Sequence, residues 1–304
     1  MIMRSSENTL DPRFLGESMP VGPGIEPQLR DALDYSLETK GSFSRAMLCV
    51  AVCDELGMSQ ESGQAIGSSV ELFHLASLIL DDLPSMDDAK LRRGEACVHE
   101  VYGESTAILA SLGFINRGYA LFWRQMNKVD SNCAEEAADL IESSLGLEGV
   151  LNGQARDLNF CSRSGQELEV ERIALLKTGA LFRLCLLLPA ILGGGSRYEK
   201  LHLARLSESW GIAYQIADDL KDVLFGEDSS GKSTQKDEQL GRPNMALQVG
   251  VEAALTKLRL YLKDADHSLN ALADTGGREW NCLLRFHNEF LEKMEPILRN
   301  QEVA

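Results

Sequence analysis

Four aspartates fall within eight residues, Asp81, Asp82, Asp87 and Asp88, and three cations follow at once, Lys90, Arg92 and Arg93, in the stretch DDLPSMDDAKLRRG (81–94). Taken alone, such a run reads as a solvated charged turn. A second acidic group, Asp218, Asp219 and Asp222, closes the stretch GIAYQIADDLKD (211–222). There Gly211, Gln215, Asp218 and Asp222 recur at helical spacing and share one face, while Ile212, Ile216 and Leu220 point elsewhere. Asp218 and Asp222 sit one turn apart with no basic residue on their own stripe, so they repel unless a cation lies between them. Hard oxygen donors, one or two carboxylates per ion with room for water and phosphate, describe Mg²⁺ held together with a phosphorylated substrate. Arg92 and Arg93 then match phosphate oxygens, because a guanidinium fork meets them in pairs.

The elements that carry these groups read as helices. From Leu29 to Leu298 apolar residues recur at three- and four-residue spacing, with Ala, Leu, Glu, Lys and Arg between them, and no alternating strand bounded by turns stands out. The expectation is an all-α bundle forming one large domain, with residues 1–28 irregular. In VELFHLASLILDD (70–82), Glu71, His74 and Asp81 form a polar stripe on an otherwise apolar helix, and Pro84 ends that helix. Asp87 and Asp88 emerge beyond it, able to fold back toward Asp81. Further breaks are expected at 19–27, 191–197, 225–244 and 274–277.

Totals narrow the function. The 304 residues carry a formal charge of −16, which repels nucleic acid and anionic membranes alike. Seven scattered cysteines without a CxxC pair suggest neither a disulfide framework nor a zinc site. The opening MIMRSSENTLDPRFLGES lacks an apolar run of signal-peptide length. The greasiest stretch, LCLLLPAILGGG (184–195), contains Pro189 and follows Arg183. A soluble cytoplasmic protein without stable membrane insertion is expected.

With both clusters in place, the chain resembles the trans-isoprenyl diphosphate synthases of the polyprenyl synthetase family. Their DDxxxxD motif and following LRRG appear as Asp81, Asp82, Asp87 and Leu91 to Gly94, and their GxxxQxxDDxxD as Gly211, Gln215, Asp218, Asp219 and Asp222. Between them stand Gly153, Gln154 and Asp157, then Lys177 and Thr178; beyond them stand Gly231, Lys232, Lys236, Asp237 and Arg242. The stretch HLASLILDDLPSMDDAKLRRGEACVHEVYGESTAIL (74–109) is most similar to bacterial geranylgeranyl diphosphate synthases.

The resemblance implies an all-α isoprenoid synthase fold around a deep cavity, a homodimer, and condensation of isopentenyl diphosphate with an allylic diphosphate. It implies three Mg²⁺ ions held by Asp81, Asp87, Asp218 and Asp222, with Asp82 and Asp219 supporting them. Arg92, Lys177 and Lys232 would meet the charge growing on the leaving diphosphate, with Thr178, Gln215 and Arg242 also on substrate. Arg45, His74 and Arg93 would hold isopentenyl diphosphate, and a loop carrying Lys232, Lys236 and Arg242 would close over the site. His99, His202, His267 and His287 read instead as core histidines. Ala76 and Ser77 are small where the growing tail would pass, which favours a C20 product over C15. Phe114, Phe122 and Trp123 would floor the cavity.

One position departs from the pattern. The family's Gly-Lys-x-x-Arg is KGSFSR (40–45) here, so Gly41 and Arg45 fit while Ser42 stands in place of lysine. A missing charge-assisted hydrogen bond is worth roughly 1.5–3 kcal/mol, or ten- to hundredfold in affinity. Three expectations follow: Lys40 supplies the charge, or the chain ionises its allylic substrate as a terpene-synthase-like lyase, or it serves as a non-catalytic regulatory subunit.

Overall fold

The computed structural model describes residues 13–38, 41–161, 165–225, 241–274 and 277–299. In chain order these form α1 (Arg13–Ser18), α2 (Pro27–Glu38), α3 (Ser44–Glu55) and α4 (Gln60–Asp81). A two-residue hairpin follows, β1 (Leu91–Arg92) with β2 (Glu95–Ala96), then α5 (Val98–Tyr102), α6 (Glu104–Met126), α7 (Ser131–Leu145), α8 (Val150–Leu158) and α9 (Glu167–Ala174). A π-helical turn at Leu175–Gly179 joins α9 to α10 (Ala180–Leu192). Last come α11 (Arg197–Leu224), α12 (Met245–Val249), α13 (Val251–Ala273) and α14 (Asn281–Arg299). The fold is all-α, as the apolar spacing predicts.

The core has two parts, and α4 is the wall they share. Val70 and Phe73 on one side of α4 join the larger cluster, which contains α10 and the buried faces of α3, α7, α11 and α13. Leu72, Ala76 and Ile79 on its other side join a smaller cluster with α1, α2 and α6. A helix buried on both sides has few polar positions, so the stripe Glu71, His74 and Asp81 stands in an apolar setting. Ser59 caps the start of α4, its hydroxyl accepting from the Ser62 amide at 3.2 Å.

Three local expectations are corrected. Within the segment 1–28, Arg13–Ser18 is helical, because Phe14 and Leu15 are apolar enough to be buried. The hairpin at 91–96 escaped the search for alternating strands, since two-residue strands carry no period; Arg93 (φ 55) and Gly94 (φ 85) form its left-handed turn. Pro189 lies inside α10, which continues to Leu192, since a proline in the final turn forfeits only one backbone bond. Within the stretch Glu167–Leu192 an 18-residue window has a mean hydropathy of 1.8, long and apolar enough to cross a membrane by composition, yet 72% of that window is buried within the fold.

Leu184, Leu186 and Leu188 on α10 have no exposed surface. Replacing Leu188 by Ala should destabilise the chain by about 2–5 kcal/mol, read as a lowered urea midpoint.

Candidate active site

The first acidic cluster is built by a chain that turns back on the helix it has left. Past Asp81, the Asp87 amide donates to the Asp81 carbonyl at 2.9 Å and the Ala89 amide to the Asp82 carbonyl at 3.1 Å, so Asp87 returns to Asp81. Asp82 is buried and faces the hairpin, where Arg92 Nε reaches both its carboxylate oxygens at 2.8 Å and Nη2 reaches Oδ1 at 2.5 Å. Arg92 and Asp82 are therefore turned to each other. Arg92, expected on a diphosphate, ties β1 to the end of α4.

The second cluster lies on α11. Gly211 lets this helix touch the π-turn, for a Cβ there would stand 2.4 Å from the Gly179 Cα. At that crossing the Thr178 hydroxyl donates to Gln215 Oε1 at 3.1 Å, and Gln215 Nε2 donates to Asp219 Oδ1 at 2.9 Å. The Met245 amide donates to Asp219 Oδ2 at 2.7 Å. Asp219, 1% exposed, thus braces α11 against the start of α12, whereas Asp218 beside it is exposed and Asp222 half-buried.

A third element joins the two. Gly153 on α8 passes so close to the π-turn that a Cβ would meet the Lys177 amide nitrogen at 2.8 Å. One turn later Asp157 receives Lys177 Nζ at 2.5 Å. Arg242 donates to Asp87 Oδ1 at 2.7 Å and to the Met86 carbonyl at 3.0 Å, with its other nitrogen 4.0 Å from Asp157. Burial, opposed by Lys177 and reinforced by Asp87, raises the Asp81 carboxyl to about 6. Burial works against the Lys177 ammonium too, yet Asp81, Asp157 and Asp87 together hold its pKa above the ordinary value.

On α4, away from Asp81, a separate basic end faces α3. Arg45 Nη1 lies 3.2 Å from His74 Nε2, with its guanidinium carbon 5.8 Å from the centre of the Phe182 ring. Burial, then Arg45, Arg93 and Arg92, hold the His74 pKa well below its usual value, so the ring is neutral. Arg93 reaches Gly41, where a Cβ would come within 2.9 Å of its Nη1. Ser42 is exposed, its hydroxyl 3.2 Å from that of Ser44. Lys40, Lys232 and Lys236 lie outside the described residues.

Among the tail-length residues, Ala76 is buried and Ser77 half-buried, its hydroxyl donating to the His74 carbonyl at 2.8 Å. Phe114 and Phe122 are core. Trp123 is 63% exposed and lines an open pocket of about 610 Å³ between α6 and α7, so it is no floor to a central cavity. Phe73, unremarked in the sequence, stacks on Phe122 at 5.7 Å, in a place open only because Gly118 has no side chain; a Cβ there would stand 2.6 Å from the ring. Asp157 and Glu71 were also passed over as partners. The spacing of Gly153 to Asp157, one helical turn, could have flagged the first. His287 is a satisfied core histidine, accepting from Trp210 Nε1 at 3.0 Å and facing Asp266 at 3.1 Å.

Among the described residues no three His, Cys, Asp or Glu side chains gather closely enough to cage a metal ion. Asp87 returns to Asp81 past the end of α4, and Asp218 lies exposed on α11. Such a donor set fits an ion that keeps waters and shares a phosphate.

The sequence model of the polyprenyl synthetase family matches residues 26–271. The chain belongs to the polyprenyl synthetase family. It is 34% identical over 227 residues to the chloroplastic geranylgeranyl pyrophosphate synthase of Capsicum annuum, a match covering 74% of this chain and 62% of that one. It is 33% identical over 248 residues to the farnesyl diphosphate synthase of Bacillus subtilis, covering 81% and 83%. A crystal structure of an FPP/GFPP synthase from Zymomonas mobilis superposes with a TM-score of 0.78 at 26% identity, over 91% of this chain and 92% of that one. Family membership makes the chain a prenyltransferase by class.

A raised carboxyl pKa has a testable sign. Because folded Asp81 holds its proton up to about pH 6, against an ordinary 3.8, its contribution favours folding at low pH and is lost as pH rises through 6. In a chelating buffer, Asp81→Asn should melt higher than wild type at pH 7, by about 1–3 kcal/mol, with the gap closing toward pH 4.

Proposed function

We propose that the chain condenses isopentenyl diphosphate with an allylic diphosphate, and that its main product is the C20 geranylgeranyl diphosphate, with C15 farnesyl diphosphate as the alternative. The observation that carries this reading is the gathering of basic side chains at two separate places along one helix. Asp81 ends α4 beside Lys177 and Arg242, and His74, about 10 Å earlier on the same helix, meets Arg45. Two diphosphates held at such a distance place one substrate's double bond against the other's allylic carbon.

Asp81, Asp87 and Asp218, with Asp222, are the residues proposed to hold Mg²⁺, in three ions by family analogy. When bound, Mg²⁺ would draw off the charge that develops on the diphosphate as the allylic C–O bond breaks. Lys177 and Arg242 stand where they can shift from Asp157 and Asp87 onto that diphosphate, supplying preorganised positive charge. Arg45, Arg93 and neutral His74 hold the isopentenyl diphosphate, with His74 donating a hydrogen bond without adding charge. Thr178 and Gln215 fix the π-turn that presents Lys177. Asp82 and Asp219 take part by bracing their neighbours, and Lys232, outside the described residues, is proposed to join the diphosphate. No nucleophilic side chain is required.

The chain is proposed to work as a single cytoplasmic domain that does not insert in membranes, and as a homodimer. Ile108, Leu109, Leu112, Tyr119 and Trp123 form an exposed apolar stripe along α6, which supports pairing with a second copy.

Ser42 favours a second reading, ionisation without an isopentenyl acceptor, because its hydroxyl adds no charge beside Arg45. Incubation with Mg²⁺, isopentenyl diphosphate and the C5, C10 or C15 allylic diphosphate separates the two. Elongated diphosphates support condensation; hydrocarbon or alcohol formed without isopentenyl incorporation refutes it. On the first reading, Ala76→Phe should shorten the product to C15 or below by filling the space beside Phe114, read by chromatography of the dephosphorylated alcohols.

A further inference from the structure

The helix that carries Arg45 cannot cap its own N-terminus. Phe43, at the cap position of α3, has φ 47 and offers no side-chain acceptor. The first amides of a helix need acceptors, and its positive end disfavours a cation in the first turn. Arg45 sits in that first turn. The acceptor comes from α4: Glu71 Oε2 takes the Ala46 amide at 3.3 Å.

The two helices are packed to make this reach possible. Gly63, Gly67, Glu71 and His74 share one face of α4. A Cβ on Gly63 would stand 3.2 Å from the Cys53 Cβ, and one on Gly67 would stand 2.8 Å from the Ala46 carbonyl oxygen. Two missing side chains thus bring the start of α3 against α4, Glu71 hooks its third residue, and Arg45 is delivered to His74. Glu71 is 7% exposed, so water offers the amide little in exchange. Burial raises the Glu71 pKa, while Arg45, the Ala46 amide and Arg93 oppose the rise. Arg45 Nε and His74 Nδ1 are buried without a hydrogen-bond partner among the described residues.

We propose that Glu71 is a positioning residue, capping α3 from the neighbouring helix so that Arg45 and His74 hold their geometry for the isopentenyl diphosphate. This rests on the functional reading above for the identity of that ligand. The test titrates isopentenyl diphosphate into the full chain by calorimetry in a metal-chelating buffer, since this end of the site contains no proposed metal carboxylate. Glu71→Gln keeps an oxygen for the Ala46 amide and should bind within threefold of wild type. Glu71→Leu keeps the bulk without the acceptor and should bind at least tenfold more weakly, while the KM for the allylic diphosphate stays within twofold. Glu71→Leu binding within twofold of wild type, or Glu71→Gln as weak as Glu71→Leu, overturns the proposal. An equal rise in both KM values with a lowered melting temperature also overturns it, as that marks general loosening. No metal-free binding by wild type overturns it as well. If wild type binds isopentenyl diphosphate but does not elongate with it, the condensation reading falls and the same binding series still decides the role of Glu71.

Discussion

Everything at this site follows from crowding carboxylates into a space that water reaches poorly. Asp82, Asp157 and Asp219 are buried and Asp81 and Asp87 half-buried, and unpaired charges there are costly. The fold's answer is to give each supporting carboxylate its own donor. Asp82 has Arg92, Asp157 has Lys177, Asp87 has Arg242, and Asp219 has Gln215 and the Met245 amide. Asp81 stays under strain, its carboxyl lifted to about 6, and Asp218 stays exposed. These two are the positions proposed to take positive charge from a ligand.

The backbone arrangement serves that pairing. Lys177 reaches Asp157 because it rides on a π-turn, and the π-turn can lie between α8 and α11 because Gly153 and Gly211 carry no side chains. Widened turns of this kind often sit at functional positions, since they redirect a side chain without ending a helix. The basic end uses the same device, with Gly63 and Gly67 bringing α3 onto α4. Close backbone contacts set both ends of the site.

Much of this was legible in the sequence, and the reasons differ by residue. Helical spacing put Gly211, Gln215, Asp218 and Asp222 on one face, and Pro84 marked where α4 stops, because periodicity and proline act locally. The fork between Arg92 and Asp82 was not legible, for it depends on a two-residue hairpin without any period. Nor was the bracing role of Asp219, whose partner amide at Met245 lies 26 residues onward. Trp123 was misplaced because an aromatic on an amphipathic helix looks alike whether it faces core or solvent. Glu71 was visible as part of a polar stripe on an apolar helix, while its partner is a backbone amide that no side-chain pattern reveals.

One helix is proposed to carry two anion sites of different kind, one basic in itself and one completed by cations. Calorimetric stoichiometry tests it directly, with inorganic pyrophosphate titrated into the full chain first in chelator and then in Mg²⁺. The expected result is one pyrophosphate per chain without Mg²⁺, abolished by Arg45→Ala, and a second that appears with Mg²⁺ and is abolished by Asp81→Asn. A stoichiometry that Mg²⁺ leaves unchanged would contradict it.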